Sequence, residues 1–527
     1  MTPYRLDEAT GRTSCGERIL QVTHSLLRPG VLLLAGALLA AGCSAGSTAS
    51  PGGAAPGSPD APLRIGLTAE PANLDFTRTD GAAIPEALLV NVYEGLVQLN
   101  QQTGDIEPAL AESWTVSPDG LVYDFTLRQG VTFSNGEAFT ADDVKFSIER
   151  VLSDDWTISI KDGMSVVSGV EVVSPTHARV TLSQRSNSWL FRMTTRIGAM
   201  FDPSGVGDLA NAPVGTGPYT VSEFRRGDAL VLTRRDDYWG DAPAIGQVVL
   251  QYFGDATAAT NALLTDGIDV IGTVQAPESL AQFDGDARFQ VIEGTTNGEV
   301  TLAMNNASGP TSDVRVRRAI AMAIDHEAVL NTAWAGRGEL IDTMVPPTDP
   351  WYQPLPDVTP YDPAAARALL AEAGTPNLSL RFRIANLPYA VASAQVVQSQ
   401  LAAVGIETQI EPLEFPARWV EDVLRNADYD LSIVSHAEPR DIRTFGNPQY
   451  YWRYDNPEVQ RLLAESETGT EEQQVTALQQ VGRLIAEDAA ADWLFLIPNL
   501  IVADREVQGL PQNRIGEALD LTALSRG

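Results

Sequence analysis

A turn-rich stretch in the middle of the chain limits the folds that are available to it. Two prolines and two glycines fall between Pro213 and Pro218, and this density excludes a helix there. Tyr219 to Phe224 then has the pattern of a strand, and the apolar run from Ala229 to Thr233 predicts a second one. Polar residues 225–228 separate the two runs. The stretch therefore predicts a β-hairpin with an irregular entrance.

Length and composition set the class of protein. The chain has 527 residues and is long enough for two or three domains. Its hydrophobic fraction of 44% is typical of a folded globular protein. The formal net charge of −32 disfavours nucleic acid and anionic membrane surfaces as partners, and we interpret it as a solubility feature. The two cysteines and four histidines follow no metal-binding spacing, so we expect no metal site and no cofactor.

The first 42 residues have the pattern of a targeting segment. Arginines precede an apolar run from Val31 to Ala41, which is too short to span a bilayer but suits a signal peptide. The run ends in Leu39-Ala40-Ala41-Gly42-Cys43, which resembles a bacterial lipobox, although Ala40 stands where that pattern prefers leucine. We predict that residues 1–42 are removed and that Cys43 carries lipid; a plain signal peptide with an incidental cysteine is the alternative. Residues 43–62 are rich in small residues and proline and predict a flexible tether.

Strand and helix signals alternate after the tether. Leu63 to Leu67 predicts a first strand, and the loop from Thr68 to Asp75 follows its carboxyl end. Ligands of α/β sheets bind at such ends, so Glu70 in this loop is a candidate wall of a binding cleft. Further along, the order strand, helix, strand between residues 378 and 410 predicts a second α/β unit.

A segment between these units carries hairpin and helix-start signals. Asp119-Gly120 is a strong turn signal, and apolar residues alternate in the strand that follows it. Thr140 and Asp143 have the spacing of a capping box at the start of a helix that runs through Arg150. Because such side chains stabilise a helix end, we assign these carboxylates no catalytic role.

Four short motifs point to one protein family. They are Val214-Gly-Thr-Gly-Pro-Tyr219, Tyr238-Trp-Gly240, Tyr93-Glu-Gly-Leu96 and Ala141-Asp-Asp-Val144. Taken in chain order, they resemble the family 5 solute-binding proteins, which are the peptide-, dipeptide- and nickel-binding receptors of ABC importers. The resemblance covers Leu63 to about Gln512. It implies an α/β fold of the two-lobed periplasmic-binding-protein type (class II), with a third, small α+β domain inserted in lobe I.

The resemblance also implies how the chain is divided. The predicted parts are a signal peptide (1–42), a tether (43–62), lobe I (63–107, 201–305 and 491–527, the last including a C-terminal tail), a small domain (108–200) and lobe II (306–490). In the family the small domain lies away from the ligand. The strand from Val300 to Asn306 resembles the one that crosses between the lobes, so we expect a hinge near Asn305.

The ligand is expected at the carboxyl end of the strand that begins at Asp430. An acid at this place in peptide-binding members pairs with the ligand's α-ammonium, and Glu438 or Asp441 is our candidate for that role. A solvated loop with a local ion pair is the alternative. Two departures from the dipeptide binders argue against strict dipeptide specificity. Ser435-His436 replaces their Gly-Trp, and Leu387-Pro388-Tyr389 lacks the arginine that grips the peptide carboxylate, for which Arg440 or Arg443 is a candidate substitute.

An aromatic run follows this strand. Tyr450-Tyr-Trp-Arg-Tyr454 is either a stacking surface for a planar or sugar-like ligand or part of the core. The complete set of candidate ligand-binding residues is Glu70, Asn305, Tyr389, His436, Glu438, Arg440, Asp441 and Trp452.

These features predict a lipid-anchored, extracytoplasmic receptor that acts as a monomer. It would bind a peptide between its lobes, close over it by a population shift and deliver it to the permease and ATPase of an importer. Binding and delivery require no chemistry, so no catalytic residue is assigned. The alternatives are the same fold with an oligosaccharide, nickel chelate or haem-like ligand, a sensory receptor without an importer, and a secreted hydrolase with paired carboxylates. No Gly-x-Ser-x-Gly or similar nucleophile motif supports the hydrolase.

Overall fold

A ten-stranded mixed sheet forms the centre of the computed structural model, which describes residues 61–527. The strands of this part of the chain are β1 (Leu63–Leu67), β2 (Val97–Leu99), β3 (Ile106–Pro108), β4 (Ala111–Val116), β5 (Val122–Leu127), β6 (Val167–Ser174), β7 (His177–Leu182), β8 (Tyr219–Arg225), β9 (Ala229–Arg234), β10 (Gln247–Tyr252), β11 (Val270–Ile271), β12 (Phe289–Met304), β13 (Leu378–Ala385), β14 (Ile406–Leu413), β15 (Leu431–His436), β16 (Ala491–Asp504), β17 (Val507–Gln508) and β18 (Ser525–Arg526). The predicted signal peptide, Cys43 and nearly all of the tether lie outside the described residues.

Helices lie between many of these strands along the chain. They are α1 (Ala83–Leu88), α2 (Ala141–Leu152), α3 (Trp189–Arg192), α4 (Ala256–Leu264), α5 (Val314–Met322), α6 (His326–Ala333), α7 (Pro363–Glu372), α8 (Pro388–Ala403), α9 (Ala417–Trp419), α10 (Pro457–Thr468) and α11 (Glu471–Glu487). None of the helices between residues 61 and 527 combines the length and the hydrophobicity that crossing a bilayer requires.

Two long antiparallel strands join two lobes into one sheet. The strand order is β14-β13-β15-β12-β16-β11-β1-β10-β9-β8, so β12 and β16 lie between the two groups of strands. The first part of β12 pairs with the end of β16 in lobe I, and the second part pairs with the start of β16 in lobe II. The pairing is interrupted between Gly294 and Gly298, opposite Ile497 to Asn499. Lobe II therefore comprises residues 298–497, and lobe I comprises the rest of the described chain.

This crossing lies upstream of the hinge that the sequence predicts near Asn305. Asn305 follows the end of β12 inside lobe II, where its side-chain amide donates to the carbonyls of Ala427 (2.9 Å) and Tyr429 (3.4 Å). The polar residues that begin at Asn305 therefore mark the end of β12 and not the place where the chain changes lobe. The change of lobe occurs where the glycines interrupt the ladder.

The predicted hairpin is present in lobe I as β8 and β9, with Arg225 paired to Ala229 across the turn. Its entrance passes against the backbone that precedes Tyr93. A side chain at Gly215 would lie 2.0 Å from the carbonyl oxygen of Val92, and one at Gly217 would lie 2.6 Å from that of Asn91. Glycine is required at both places because two backbones meet there. Two motifs that are distant in sequence thus pack together.

The segment predicted to form a small domain contains its own four-stranded antiparallel sheet, in the order β4-β5-β7-β6. Helix α2 begins with the predicted capping box, in which the Asp143 carboxylate accepts from the backbone N–H of Thr140 at 2.7 Å. The small domain does not have a hydrophobic core of its own. Its buried side chains are continuous with those of lobe I, and Trp156 packs on Phe76 and Phe201 at ring distances of 6.0 and 6.3 Å.

Candidate functional site

Strand β15 ends at the face of lobe II that meets the small domain and the C-terminal residues of lobe I. Beyond His436 the chain turns sharply, and Arg440 has a left-handed backbone conformation (φ 62°) before a short helical turn from Asp441 to Gly446. A non-glycine residue in this conformation costs about 1 kcal/mol, and such strain is concentrated at functional sites. The turn places the side chains of Arg440 and Arg443 at the junction of the lobes, whereas Ile442 packs into the core of lobe II.

A buried group of carboxylates lies beneath this turn. Glu299 on β12 is paired with His436 in the ladder, and His436 Nδ1 lies 3.2 Å from Oδ2 of Asp441. The other ring nitrogen of His436 is 2.8 Å from the hydroxyl of Tyr451. Burial, reinforced by the charge of Asp441, raises the pKa of Glu299 well above its usual value. Burial also raises the pKa of Asp349 to about 7, against the opposing effect of Arg440.

Two arginines add positive charge to the same place. The Arg440 guanidinium stacks on Phe191 of the small domain, 3.6 Å from the ring centre, and on Trp351 of lobe II, at 5.0 Å. Its Nε atom is 3.7 Å from Oδ1 of Asp349, and burial lowers the pKa of Arg440 to about 10. Arg443 donates through Nη1 to Glu467 at 2.6 Å. Both arginines therefore lie at the junction of lobe II with the small domain.

Several polar atoms of this cluster are buried without a hydrogen-bond partner in the described chain. They are Nε of Arg440, Nη2 of Arg443, both carboxylate oxygens of Asp441, Oδ2 of Asp349 and Oε2 of Glu299. Most buried polar groups in proteins are hydrogen-bonded, so such a concentration marks a place for bound polar groups. Because the unsatisfied atoms include both donors and acceptors, the arrangement suits a ligand that carries both.

Glu438 is the acid that faces both lobes. Its side chain is in contact with solvent, yet protein atoms from several elements surround it, and this desolvation raises its pKa. Asp441 acts in the same direction, whereas His436 and Arg196 favour the ionised form. Arg196 is part of a buried ion pair with Glu517 of lobe I, at 2.5 Å. A ligand group bound by Glu438 would therefore lie between the lobes.

A second part of the cleft has acidic side chains as its only charged groups among the described residues. A cavity of about 490 Å³ lies at the carboxyl ends of β1 and β10, beside the start of α4, and Leu387 and Pro388 of lobe II close it. Among the described residues that line it, Asp255 and Glu278 carry charge and none is arginine, lysine or histidine. This position is where α/β sheets bind ligands, and the volume is typical of a ligand pocket.

Four of the predicted ligand-binding residues come together in the structure. His436, Glu438, Arg440 and Asp441 form the charged cluster at the end of β15, as described above. The sequence signal was their position directly after a buried strand.

The remaining predicted residues, like Asn305, make contacts within the protein, and Trp452 also packs against His436 with the ring centres 4.9 Å apart. Trp452 is fully buried in lobe II and stacks on Phe445 with the rings 4.9 Å apart, so the aromatic run belongs mainly to the core. The buried hydroxyl of Tyr389 accepts from the backbone N–H of Ser435 at 2.9 Å. Glu70 accepts from the backbone N–H of Gly227 at 2.7 Å and so supports the turn of the β8–β9 hairpin. These contacts are structural.

The sequence analysis missed other parts of the cluster. Glu299 precedes the apolar end of β12, and a lone acid in a buried strand was a usable signal. Asp349 and Trp351 lie in a loop and Phe191 in the short helix α3, and none of them gave a signal that a single sequence could reveal. Through Phe191, which stacks on Arg440, one edge of the small domain lies against the charged cluster.

The described residues contain no group of three or more histidine, cysteine, aspartate or glutamate side chains placed to hold a metal ion.

Comparisons with known proteins agree with this architecture. The sequence model of the family described as "Bacterial extracellular solute-binding proteins, family 5 Middle" matches residues 105–457. Di/tripeptide-binding protein 2 of Pseudomonas aeruginosa is 30% identical over 408 residues, which are 71% of this chain and 75% of that protein. The nickel-binding periplasmic protein of Escherichia coli is 32% identical over 302 residues, 54% of this chain and 56% of that protein.

A solved structure shows the same fold. It is the ABC transporter-associated periplasmic binding protein DppA of Helicobacter pylori in complex with the peptide STSA. The two structures superpose with a TM-score of 0.78 at 22% sequence identity, over 88% of this chain and 98% of that one.

Proposed function

The chain belongs to family 5 of the bacterial extracellular solute-binding proteins, and from that premise we propose that its solute is a peptide bound between the lobes. Proteins of this family are binding components of ABC importers and not enzymes. The relatives named above bind peptides or nickel at similar levels of identity, so the similarity alone does not select the solute. The choice of a peptide rests on the chemistry of the site.

The observation that carries the proposal is the placement of Glu438. This carboxylate follows β15, is open to solvent, and is near enough to Arg196 and Glu517 of lobe I for their charges to shift its pKa in opposite directions. A peptide presents an α-ammonium, which needs a carboxylate partner in an enclosed site. Asp441 is a second, more deeply buried acid beside it. We assign the ammonium contact to Glu438 and a supporting electrostatic role to Asp441.

Arg443 is the candidate partner for a carboxylate or carbonyl of the ligand. One of its nitrogens is held by Glu467, and Nη2 is buried and unpartnered among the described residues. The cavity beside Leu387, whose charged lining residues among those described are Asp255 and Glu278, would take the rest of the ligand. This division favours recognition of the peptide backbone over a particular side chain, and it argues against a strict requirement for dipeptides.

The cellular setting follows from the family and from the first residues of the chain. A solute-binding protein of this family works outside the cytoplasm and delivers its ligand to a permease that an ATPase drives. We propose that Cys43 is lipidated and holds the protein at the membrane through the tether of residues 43–62. We also propose that the protein acts as a monomer, since closure of its own two lobes completes the site.

Native mass spectrometry tests the peptide assignment. The protein is purified without added ligand, measured intact and then denatured so that co-purified molecules are identified. A heterogeneous set of peptides would support the proposal. A single non-peptide mass, such as a nickel chelate, an oligosaccharide or a haem-like molecule, would contradict it. An empty protein is titrated with peptides by calorimetry, and failure to bind any of them would also contradict it.

A substitution tests the role of Glu438. We expect Glu438→Gln to weaken binding of peptides with a free amino terminus by about tenfold to a hundredfold, because a charge-assisted contact is lost. Binding of the same peptides after N-acetylation should change little. Glu407→Gln is the matched control, since Glu407 is exposed on β14 of the same lobe. Equal loss for acetylated and free peptides would refute the assignment.

A further inference from the structure

The small domain makes direct hydrogen bonds to lobe II on the other side of the cleft. Residues 186–188 lie between β7 and α3, on the small-domain side, and contact the C-terminal end of α10. The hydroxyl groups of Ser186 and Ser188 both donate to Oε1 of Glu467, the second at 2.6 Å. The backbone N–H of Ser188 donates to the same oxygen at 3.2 Å. One carboxylate oxygen thus accepts three hydrogen bonds from the other side of the cleft.

Asn187 adds a second set of contacts. Its backbone N–H donates to the carbonyl of Glu467 at 2.8 Å, and its side-chain amide donates to the carbonyls of Ser466 and Gly469, each at 2.9 Å. The last carbonyls of a helix lack partners within the helix, so they are available to such donors. Residues 186–188 therefore cap the end of α10 from another domain.

Glu467 connects these contacts to the binding site. Its second oxygen accepts from Nη1 of Arg443 at 2.6 Å, and Arg443 is part of the charged cluster. Burial opposes ionisation of Glu467, but Arg443 and the two serine hydroxyls together hold its pKa below the usual value. The full set of hydrogen bonds to this carboxylate forms only when the small domain is in contact with lobe II.

We propose that the small domain takes part in ligand capture: Ser186, Asn187 and Ser188 form a latch that holds the lobes together through Glu467 and positions Arg443 in the cleft. In this role Glu467 is a positioning residue, since it acts on the ligand through Arg443. The latch is independent of which solute binds. It gives a function to a domain that otherwise contributes only its share of the lobe I core.

The latch links the lobes through hydrogen bonds to a carboxylate that also binds the charged cluster. Among the described residues, no other contact between the lobes does this. Arg440 stacking on Phe191 lies beside it and adds a hydrophobic and electrostatic contact across the same gap. Opening the cleft would expose Glu467 and the end of α10 to water, which can replace these hydrogen bonds. The latch is therefore expected to bias the equilibrium between open and closed forms and not to lock it.

Hydrogen exchange of the whole, ligand-free protein tests the latch. The amides of Asn187 and Ser188 are bonded to Glu467 in the closed form and free in an open form, so their protection reports closure. We expect the double variant Ser186→Ala/Ser188→Ala to lower this protection about tenfold, because it removes two hydroxyl donors to a charged acceptor. Protection of the amides in β6 and β7 should not change, which separates opening from unfolding of the small domain.

Two further variants complete the experiment. Glu467→Gln alters the latch from the lobe II side, and we expect the same fall in protection at Asn187 and Ser188. Ser183→Ala is the matched control, since its hydroxyl donates to the carbonyl of Val166 at 3.0 Å within the small domain. Wild-type protection in both latch variants, or an equal fall in the control, would overturn the proposal. Neither result bears on whether the solute is a peptide.

Discussion

At the scale of single residues, the site combines groups of both charges in an enclosed place. Glu438 is open to the cleft, whereas Asp349, Asp441 and Glu299 are increasingly cut off from water. Buried carboxylates at close quarters resist ionisation together, so some of their charge is neutralised by protons, by His436 or by the arginines. The same residues are thus suited to respond to a charged ligand and to pH.

The pH dependence of the free energy of unfolding should show the raised pKa of Asp349. Its pKa of about 7 in the folded protein lies above that of an unfolded aspartate, so the folded state holds the proton more tightly. The stabilising effect is complete below the unfolded pKa and is lost as the pH rises through about 7, at up to about 1.4 kcal/mol per pH unit.

Thermal melts of wild type and Asp349→Asn between pH 4 and 8 measure this contribution. We expect the stability of the wild type relative to the variant to fall over this range and to level off above the folded pKa. Asp357→Asn, at an exposed position of the same lobe, should give a difference that does not depend on pH. A pH-independent difference for Asp349→Asn as well would contradict the assignment.

A substitution of Leu387 tests whether the cavity of about 490 Å³ that this residue lines is part of the peptide site. We expect Leu387→Arg to make the protein prefer peptides with a free carboxylate over their C-terminal amides by about tenfold, because the cavity otherwise holds no cation among its described lining residues. Calorimetric titration with peptide acid and amide pairs measures the preference. Leu340→Arg adds the same charge at an exposed position of lobe II and should leave the preference unchanged. No difference between the two variants would rule out the cavity as part of the peptide site.

At the scale of elements, β12 and β16 decide how the lobes are joined. Both strands continue from one lobe into the other, and the irregular step between Gly294 and Gly298 is where their pairing changes. Arg514 of the C-terminal tail donates from its backbone N–H to the carbonyl of Thr295 at 2.9 Å, so the tail supports the step. A side chain at Gly294 would lie 1.9 Å from the carbonyl oxygen of Gln512 in that tail.

This close approach predicts a large effect of Gly294→Ala. The tail would have to move away from the crossing strands, and we expect a loss of about 1–3 kcal/mol of folding free energy together with altered closure. Urea unfolding and small-angle scattering with and without bound solute measure the two effects. Gly246→Ala is the control, because a side chain there meets nothing within 4 Å. A stability for Gly294→Ala equal to that of the control would show that the step tolerates a side chain.

At the scale of the whole molecule, three kinds of contact hold the lobes in the arrangement described here. The chain of β12 and β16 runs through both lobes and connects them permanently. The hydrogen bonds of the latch at Glu467 and the ion pair of Arg337 with Glu293 (2.6 Å) can separate. The ion pair is partly exposed and contributes little by itself. Ligand groups that bind Glu438 on one lobe and reach the other would add to the separable contacts and so favour the closed form, which is the property that a permease can recognise.

The sequence by itself determined the features that depend on neighbouring residues. The β8–β9 hairpin, the capping box of Thr140 and Asp143, and the two-lobed family fold follow from turn residues, alternation and short motifs. The acid-rich loop after β15 was found in the same way, because the end of a buried strand is visible locally.

Only the tertiary structure decided which of those residues face the cleft. Trp452 and Tyr389 had suitable chemistry, but packing against Phe445 and bonding to Ser435 place them inside lobe II. Glu299 joins Asp441, and Ser188 joins Glu467, across long separations in the chain. Such partners are brought together by the order of the strands in the sheet and by the packing of the domains. Neither of these can be predicted from the residues that neighbour each partner in the sequence.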